Sequence, residues 1–231
     1  MTDFHAHLLP AMDDGSDSVE TSLAMLDIWR AQGIDRVCAT PHFYAERTSP
    51  ERFLSRRAAA LQALKAAGGG GPGGPEIRCG AEVRFFDGIG GAEALPSLCL
   101  EGSDLLLLEM PFTRWTDRML GEVAELRQRG LRPVAAHLER YLDLNPKQTI
   151  RRFLDMDVLI QCNAEFFLSR RTARRALRML REERIHFLGS DAHNVGSRAP
   201  DLGPALGLIE RKLGPAALDR LLALEHLAEA R

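Results

Sequence analysis

Short apolar runs alternate along the chain with longer stretches whose apolar residues recur at helical spacing, a pattern that predicts parallel βα units. Seven strand-like runs stand out: Thr2 to His5, Arg36 to Thr40, Ile77 to Val83, Asp104 to Leu108, Pro133 to Ala136, Val158 to Gln161 and His186 to Gly189. No internal sequence repeat links them. Between the first two, Val19, Leu23 and Leu26 make one helical stripe, with Asp17 and Glu20 in capping-box spacing ahead of it and Gly33 as its stop. Thr116 to Arg129 is a second periodic segment, closed by Gly130. Asn145-Pro146 reads as an N-cap followed by proline at the first helical position, and Pro215 to Ala230 as a terminal helix after a break at Gly214. Gly68 to Gly74, GGGGPGG, is too poor in side chains to pack and is expected to be an exposed, flexible loop, an insertion rather than a domain boundary.

Seven parallel units in this length point to a single closed or nearly closed barrel, whose functional groups belong at the C-terminal strand ends. Those ends are rich in chemistry. The first carries His5 and His7, the second His42, the third Glu82, the fourth Glu109, the fifth His137 and the seventh Asp191 and His193, while Asp14 lies on the loop after the first. Residues i and i+2 of an extended chain share a face, so His5 and His7 can enter one cavity, as can Asp191 and His193. Five of the seven histidines fall at strand ends, leaving His186 and His226 as structural residues. Four carboxylates that close together would repel and partly protonate without cations. Nine donors suit two or three ions, and the lack of thiolate among them favours Mn, Fe, Zn or Mg.

Arg140, three residues after His137, and Arg198, five after His193, lie where guanidinium forks could grip a phosphate, although a surface salt bridge is the ordinary role of either. Asn163 could bond a metal-bound water or cap the following helix, and Asp3 could orient an imidazole or make a simple turn contact. Arg170 to Arg184 holds seven arginines, with Ala173, Leu177 and Leu180 as an inner stripe. Such a run is usually a solvated helix face; docking of an acidic partner is the alternative. Phe85-Phe86 and Phe166-Phe167 read as core.

Composition narrows the function. Thirty Lys+Arg against 32 Asp+Glu give a net charge of -2, so the chain lacks the basic footprint of a nucleic-acid binder. With 45% apolar and 27% charged residues it has a globular composition. The absence of a leader-like segment or a long apolar run predicts a cytoplasmic protein without membrane insertion. Cys38, Cys79, Cys99 and Cys162 form no C-x-x-C pair and read as reduced thiols. None has arginine six positions later, which removes the C-x5-R cysteine phosphatase chemistry.

Six segments carry a resemblance: Asp3-Phe4-His5-Ala6-His7-Leu8-Leu9-Pro10 with Asp13-Asp14-Gly15, Ala39-Thr40-Pro41-His42, Gly80-Ala81-Glu82-Val83-Arg84, Leu107-Leu108-Glu109-Met110-Pro111, Ala136-His137-Leu138-Glu139-Arg140-Tyr141 and Gly189-Ser190-Asp191-Ala192-His193-Asn194. In this order, almost end to end, they resemble the PHP (polymerase and histidinol phosphatase) superfamily, specifically the bacterial manganese-dependent tyrosine-protein phosphatases of the CpsB/CapC/YwqE type. The resemblance implies one PHP-type domain over residues 1–231, folded as a distorted (β/α)7 TIM-like barrel. It implies a trinuclear manganese site on His5, His7, Asp14, His42, Glu82, Glu109, His137, Asp191 and His193, with Arg140 and Arg198 on the substrate phosphate. The implied substrate is the phosphotyrosine tail of a bacterial kinase controlling capsule or exopolysaccharide synthesis. Leu138, where the family usually has proline, and the glycine tract are departures; the first is expected to relax the loop carrying Arg140.

Charge favours phosphate hydrolysis: three divalent ions bring about +6, four carboxylates about -4 and a bridging hydroxide about -1, which leaves a site near +1. Metal coordination lowers the pKa of water toward ~7, and a phenolate of conjugate-acid pKa ~10 is a good leaving group. The competing readings are a small-molecule phosphatase of the histidinol-phosphate kind, a phosphodiesterase with the same cluster, and a non-catalytic protein that holds kinase tails through the arginine-rich helix.

Overall fold

The computed structural model describes residues 1–229. Each apolar run becomes a parallel strand, the third splits in two and a further short strand follows the second, giving nine: β1 Thr2–Ala6, β2 Arg36–Ala39, β3 His42–Phe43, β4 Glu76–Cys79, β5 Glu82–Arg84, β6 Leu105–Glu109, β7 Arg132–Ala135, β8 Leu159–Asn163 and β9 Phe187–Gly189. They form a three-stranded sheet, β1-β2-β4, and a six-stranded one, β3-β5-β6-β7-β8-β9. The breaks lie at Thr40-Pro41, where proline has no N–H to give the ladder, and at Gly80-Ala81. Gly80 N still donates to Ala39 O (2.9 Å) and Glu82 N to Pro41 O (3.1 Å), so one sheet leads into the other. At the far side β9 meets β1 through a single bridge, Ala6 to Ala192. There Asp191 N donates to His5 O (2.8 Å) and His7 N to Ala192 O (2.9 Å). The architecture is mixed α/β around a curled parallel sheet.

Eight helices surround it: α1 Val19–Ala31, α2 Pro50–Ala66, α3 Asp117–Gln128, α4 Lys147–Leu154, α5 Ala164–Leu168, α6 Ala173–Arg181, α7 Leu202–Leu213 and α8 Pro215–Leu224. None is long and apolar enough to cross a membrane. Several caps differ from expectation, because capping is decided by which side chain reaches a free N–H. Ser18, not an Asp17/Glu20 box, caps α1 by accepting from Thr21 N (3.1 Å), while Asp17 accepts from the Thr21 hydroxyl (2.7 Å). Asn145 leaves α4 uncapped and accepts instead from Trp115 N (2.8 Å). Gly33 and Gly130 take the left-handed conformation that ends α1 and α3 as expected (φ +71° and +83°). Helix α8 ends at Leu224 and a 3-10 turn, Glu225–Ala228, follows; Ala230 lies outside the described residues. The buried stripe of α6 is Ala176, Met179 and Leu180, rotated from the expected Ala173, Leu177 and Leu180. Gly68 to Gly74 is mostly exposed, but Gly69 is buried, where an added Cβ would fall 2.7 Å from the Leu64 side chain.

The inner face of the curl positions the site. Along β6, Leu105 and Leu107 point inward and are followed by Glu109; β8 and its neighbour repeat this as Leu159, Gln161, Asn163 and Phe187, Gly189, Asp191. Each inward row starts apolar and ends polar. Phe4, Leu105, Leu107, Val134 and Phe187 pack below, leaving a void of only about 20 Å³. Strict alternation fails on β1. Its register shifts between Asp3 and Ala6, so that Phe4 packs in the lower cluster at 4.2 Å from Phe187 while His5, the next residue, joins the polar layer.

Gly189 is the close point of this layer: a Cβ there would lie 2.6 Å from His5 Cβ and 2.9 Å from Gln161 Nε2. Gly189→Ala is expected to lower the unfolding free energy by about 1–3 kcal/mol, read by denaturant titration. Asp201, before α7, has one oxygen without a partner. Burial, then the carboxylates of Asp3 and Glu165, push its pKa up to about 7. A folded pKa above the unfolded one gives stability that is full below pH 4 and lost as pH rises through about 7. Asp201→Asn should therefore raise the melting temperature at pH 8 and leave it unchanged at pH 3.5.

Candidate metal centre

All nine strand-end donors meet. Glu82, 1% exposed, is the hub: its Oε2 lies 2.9 Å from His42 Nδ1, 3.2 Å from His5 Nε2 and 3.3 Å from His7 Nε2, and its Oε1 lies 2.8 Å from His137 Nε2. Asp191 Oδ1 is 3.4 Å from His7 Nε2 and 3.7 Å from His5 Nε2 and His193 Nδ1. Glu109 Oε1 stands 3.8 Å from His137 Nε2. Asp14 forms the outer rim at 64% exposure, 3.5 Å from His42 Nε2 and 3.6 Å from His193 Nε2.

The imidazoles are aimed by groups behind them. His7 Nδ1 faces Asp13 Oδ2 at 2.7 Å, and His5 Nδ1 faces Gln161 Oε1 at 3.2 Å. Protons on both Nδ1 atoms leave the two Nε2 lone pairs facing each other at 3.3 Å. His193 Nδ1 donates to Asp191 O (2.9 Å), which likewise turns Nε2 inward. Gln161 is oriented by backbone: His137 N donates to its Oε1 (2.8 Å), so its Nε2 must donate to Asn163 Oδ1 (3.0 Å) and Asn163 Nδ2 to Asp191 Oδ2 (3.0 Å). Asn163 thus holds Asp191; it occupies the N-cap position of α5, but its side chain makes no capping bond. Asp3 orients no imidazole; it accepts from Trp29 Nε1, Ser190 N and the His5 backbone N. His137 and Asp191 both have positive φ (34° and 53°), a conformation uncommon for residues other than glycine, shared here by Ala11, Asp157 and Glu183.

Electrostatics state the same demand. Burial pulls His5 and His7 down, but Glu82 and Asp191, joined by Asp13 for His7, outweigh it and raise both pKa values. Burial opposes ionisation of Glu82 and Asp191, yet the imidazoles hold both well below the carboxylate range. Burial and the charge of Glu82 raise Glu109, and burial with nearby His7 lowers His193 to about 4. The carboxylates require positive charge at their centre. Four buried atoms of the cluster, His42 Nδ1, Glu82 Oε2, His137 Nδ1 and His193 Nε2, make no hydrogen bond. Opposed lone pairs and unsatisfied oxygens fit divalent cations, and three overlapping groups offer suitable clusters: His7, Asp14, His42 and His193; His5, His7 and Glu82; His42, Glu82 and Glu109.

The two sequence-selected arginines converge on Asp191. Arg140 Nη2 lies 2.6 Å from Oδ2 and Arg198 Nη2 3.0 Å from Oδ1, while both guanidiniums keep more than a third of their surface exposed. Leu138 is fully buried and opens a 3-10 turn, Leu138–Tyr141, that carries Arg140. The four cysteines are free and buried, and burial lifts the Cys79 thiol to about 11, so none is a ready nucleophile. His186 and His226 lie outside the cluster, bonded to backbone.

The family described as "Capsular polysaccharide synthesis, CpsB/CapC" matches residues 1–226. The chain belongs to the CpsB/CapC family. It is 28% identical to the tyrosine-protein phosphatase CpsB of Streptococcus pneumoniae, over 93% of this chain and 91% of the relative. It is also 28% identical to the tyrosine-protein phosphatase YwqE of Bacillus subtilis, over 93% and 85%. A crystal structure from work on YwqE of Bacillus subtilis and CpsB of Streptococcus pneumoniae, described as unique metal-dependent tyrosine phosphatases, matches with TM-score 0.84 at 25% identity, covering 99% of this chain and 94% of the other. A phosphotriesterase homology protein from Escherichia coli, with phosphate in its active site, shares the fold at TM-score 0.53 and 12% identity, covering 94% of each chain.

Beyond the nine donors, this CpsB/CapC chain builds its centre with residues that the sequence reading passed over. Asp13 accepts from His42 N (2.8 Å) and Gly15 N (3.0 Å) as well as facing His7. Its adjacency to Asp14 was the available signal. Gln161 lies on an inward row between Leu159 and Asn163, and its place in that period was legible. Phe112, 50% exposed, stacks on His137 at 5.9 Å, and Tyr44 stacks on His42 at 5.1 Å, so aromatic faces border the cluster. Gln161→Ala, which frees His5 and the Asn163–Asp191 chain, is expected to weaken divalent-cation binding about 10–100-fold by calorimetric titration.

Proposed function

We propose that this protein is a manganese-dependent phosphotyrosine-protein phosphatase that acts in the cytoplasm on the tail of a bacterial tyrosine kinase of capsule or exopolysaccharide synthesis. The observation that carries this reading is the meeting of Arg140 and Arg198 on one carboxylate at the edge of a nine-donor cluster. The names of the relatives, tyrosine-protein phosphatases, support the substrate class. The curled sheet and its Ala6–Ala192 bridge support a distorted (β/α)7 barrel of the PHP type, read as one domain over residues 1–231.

His5, His7, Asp14, His42, Glu82, Glu109, His137, Asp191 and His193 would hold two or three ions, with Fe, Zn or Mg as alternatives to Mn. Bound ions supply Lewis-acid stabilisation of phosphoryl oxygens and a lowered pKa for water. The chain's own residues do the rest. Arg140 and Arg198 turn their forks from Asp191 to the phosphate oxygens, where bidentate pairing fixes orientation and offsets charge. Phe112 and Tyr44 offer apolar faces to an aryl group at the mouth. The tyrosine phenolate departs with little protonation, so no strong general acid is needed. Buried cysteines leave direct transfer to water, without a covalent intermediate, as the consistent route.

A phosphotyrosine peptide and histidinol phosphate, each assayed with and without Mn, test the reading. Faster turnover of the peptide, abolished by chelation, is expected; a preference for histidinol phosphate would overturn the assigned substrate. His42→Ala should lose metal and activity together, by more than about a hundredfold. Arg198→Ala should keep its metal content and raise KM about tenfold or more, as expected for loss of a charge-assisted contact.

A further inference from the structure

Two hollows on the surface are lined by neighbouring stretches of the same segments. The first, about 200 Å³, is lined by Arg140, Asn163 and Thr172 together with the carboxylates Glu139 and Glu165, so an acidic stretch of polypeptide is assigned to the second hollow and not to this one. The second, about 240 Å³, lies between α4 and α6 and reaches Leu142 and Arg175. Leu142 is two residues beyond Arg140, and Arg175 is one helical turn, about 5 Å, beyond Thr172. Arg175 Nη1 bonds Asp143 Oδ1 at 2.8 Å, tying these walls together.

The second hollow has an unusual lining. Lys147, Arg151, Arg175, Arg178 and Arg184 surround it, against one carboxylate, Glu182. Glu182 stands 4.0 Å from Arg178 and 3.7 Å from Arg184, the limit of an ion pair, and among the described residues Lys147 and Arg151 have no carboxylate partner. The floor is apolar, from Ile150, Leu154 and Met179. Between Lys147 and Arg184 the chain carries ten Lys+Arg and five Asp+Glu although its net charge is -2, so the positive field is local to this face.

We propose that this groove docks the acidic stretch of the protein substrate that flanks the phosphotyrosine, with an apolar side chain seated on Met179 and carboxylates on Lys147, Arg151 and Arg178. The inference rests on reading the neighbouring site as a phosphotyrosine phosphatase. A concave groove with an apolar floor suits a polypeptide, which carries apolar and acidic side chains together. The bases of a single-stranded nucleic acid stack on aromatic faces, of which this lining has none, and a bilayer surface does not enter a groove. The docking groove also gives the arginines of α6 a role beyond solvation.

Binding is tested apart from catalysis with two fluorescent, unphosphorylated tyrosine peptides, one flanked by four glutamates and the other by glutamines at the same positions. The full-length protein is expected to bind the glutamate peptide about tenfold or more tightly by anisotropy, with the advantage shrinking as salt rises. The double variant Arg151→Gln, Arg178→Gln should erase that advantage while turning over p-nitrophenyl phosphate with Mn at the unaltered rate, which also reports that it is folded. Equal affinity for the two peptides, or an advantage that survives in the variant, overturns the proposal. So does equally tight, arginine-dependent binding of a single-stranded oligonucleotide of the same charge or of phosphatidylserine vesicles. Retained preference for the glutamate peptide by a protein that hydrolyses no aryl phosphate would leave the docking groove standing and remove the phosphatase reading.

Discussion

Like charges buried together set the terms for the whole chain. Glu82, Glu109 and Asp191 are nearly or fully enclosed among five imidazoles, above a layer of Phe4, Leu105, Leu107, Val134 and Phe187 that admits almost no water. Carboxylates in such surroundings ionise only if positive charge is supplied at close range, because burial penalises each of them and each penalises the next. The apolar layer therefore does more than fill space: it keeps the local dielectric low and strengthens every ionic contact above it.

Such a cluster has to be held in place by residues far apart in sequence. Gln161 links His5 to His137 and, through Asn163, to Asp191, so one amide on β8 fixes donors from three other segments. Asp13 does the same for His7, His42 and the loop between β1 and α1. Gly189 leaves the room in which Gln161 and His5 meet. The left-handed turns at His137 and Asp191 place local strain at two donors, and the surrounding hydrogen bonds hold it there.

Much of this was legible in the sequence because the inner rows of a parallel sheet obey a simple rule, apolar below and polar at the C-terminal end. That rule found His5, Glu109 and Asp191 without reference to any relative. It did not find the short strand after Pro41, the register shift that puts Phe4 and His5 into adjoining layers, or the preference of Asn145 for Trp115 over its own helix. Each of these depends on which backbone N–H is left unpaired once distant segments have come together, and period along the chain carries no record of that. The same limit explains Asp3, whose carboxylate serves Trp29 and Ser190, separated from it by 26 and 187 residues.

Asp191 has a further consequence. With one guanidinium on each of its oxygens, it would serve the proposed phosphatase as a resident understudy for the incoming anion. Arrival of the phosphate would then exchange one counterion for another, and its departure would strand no bare cations.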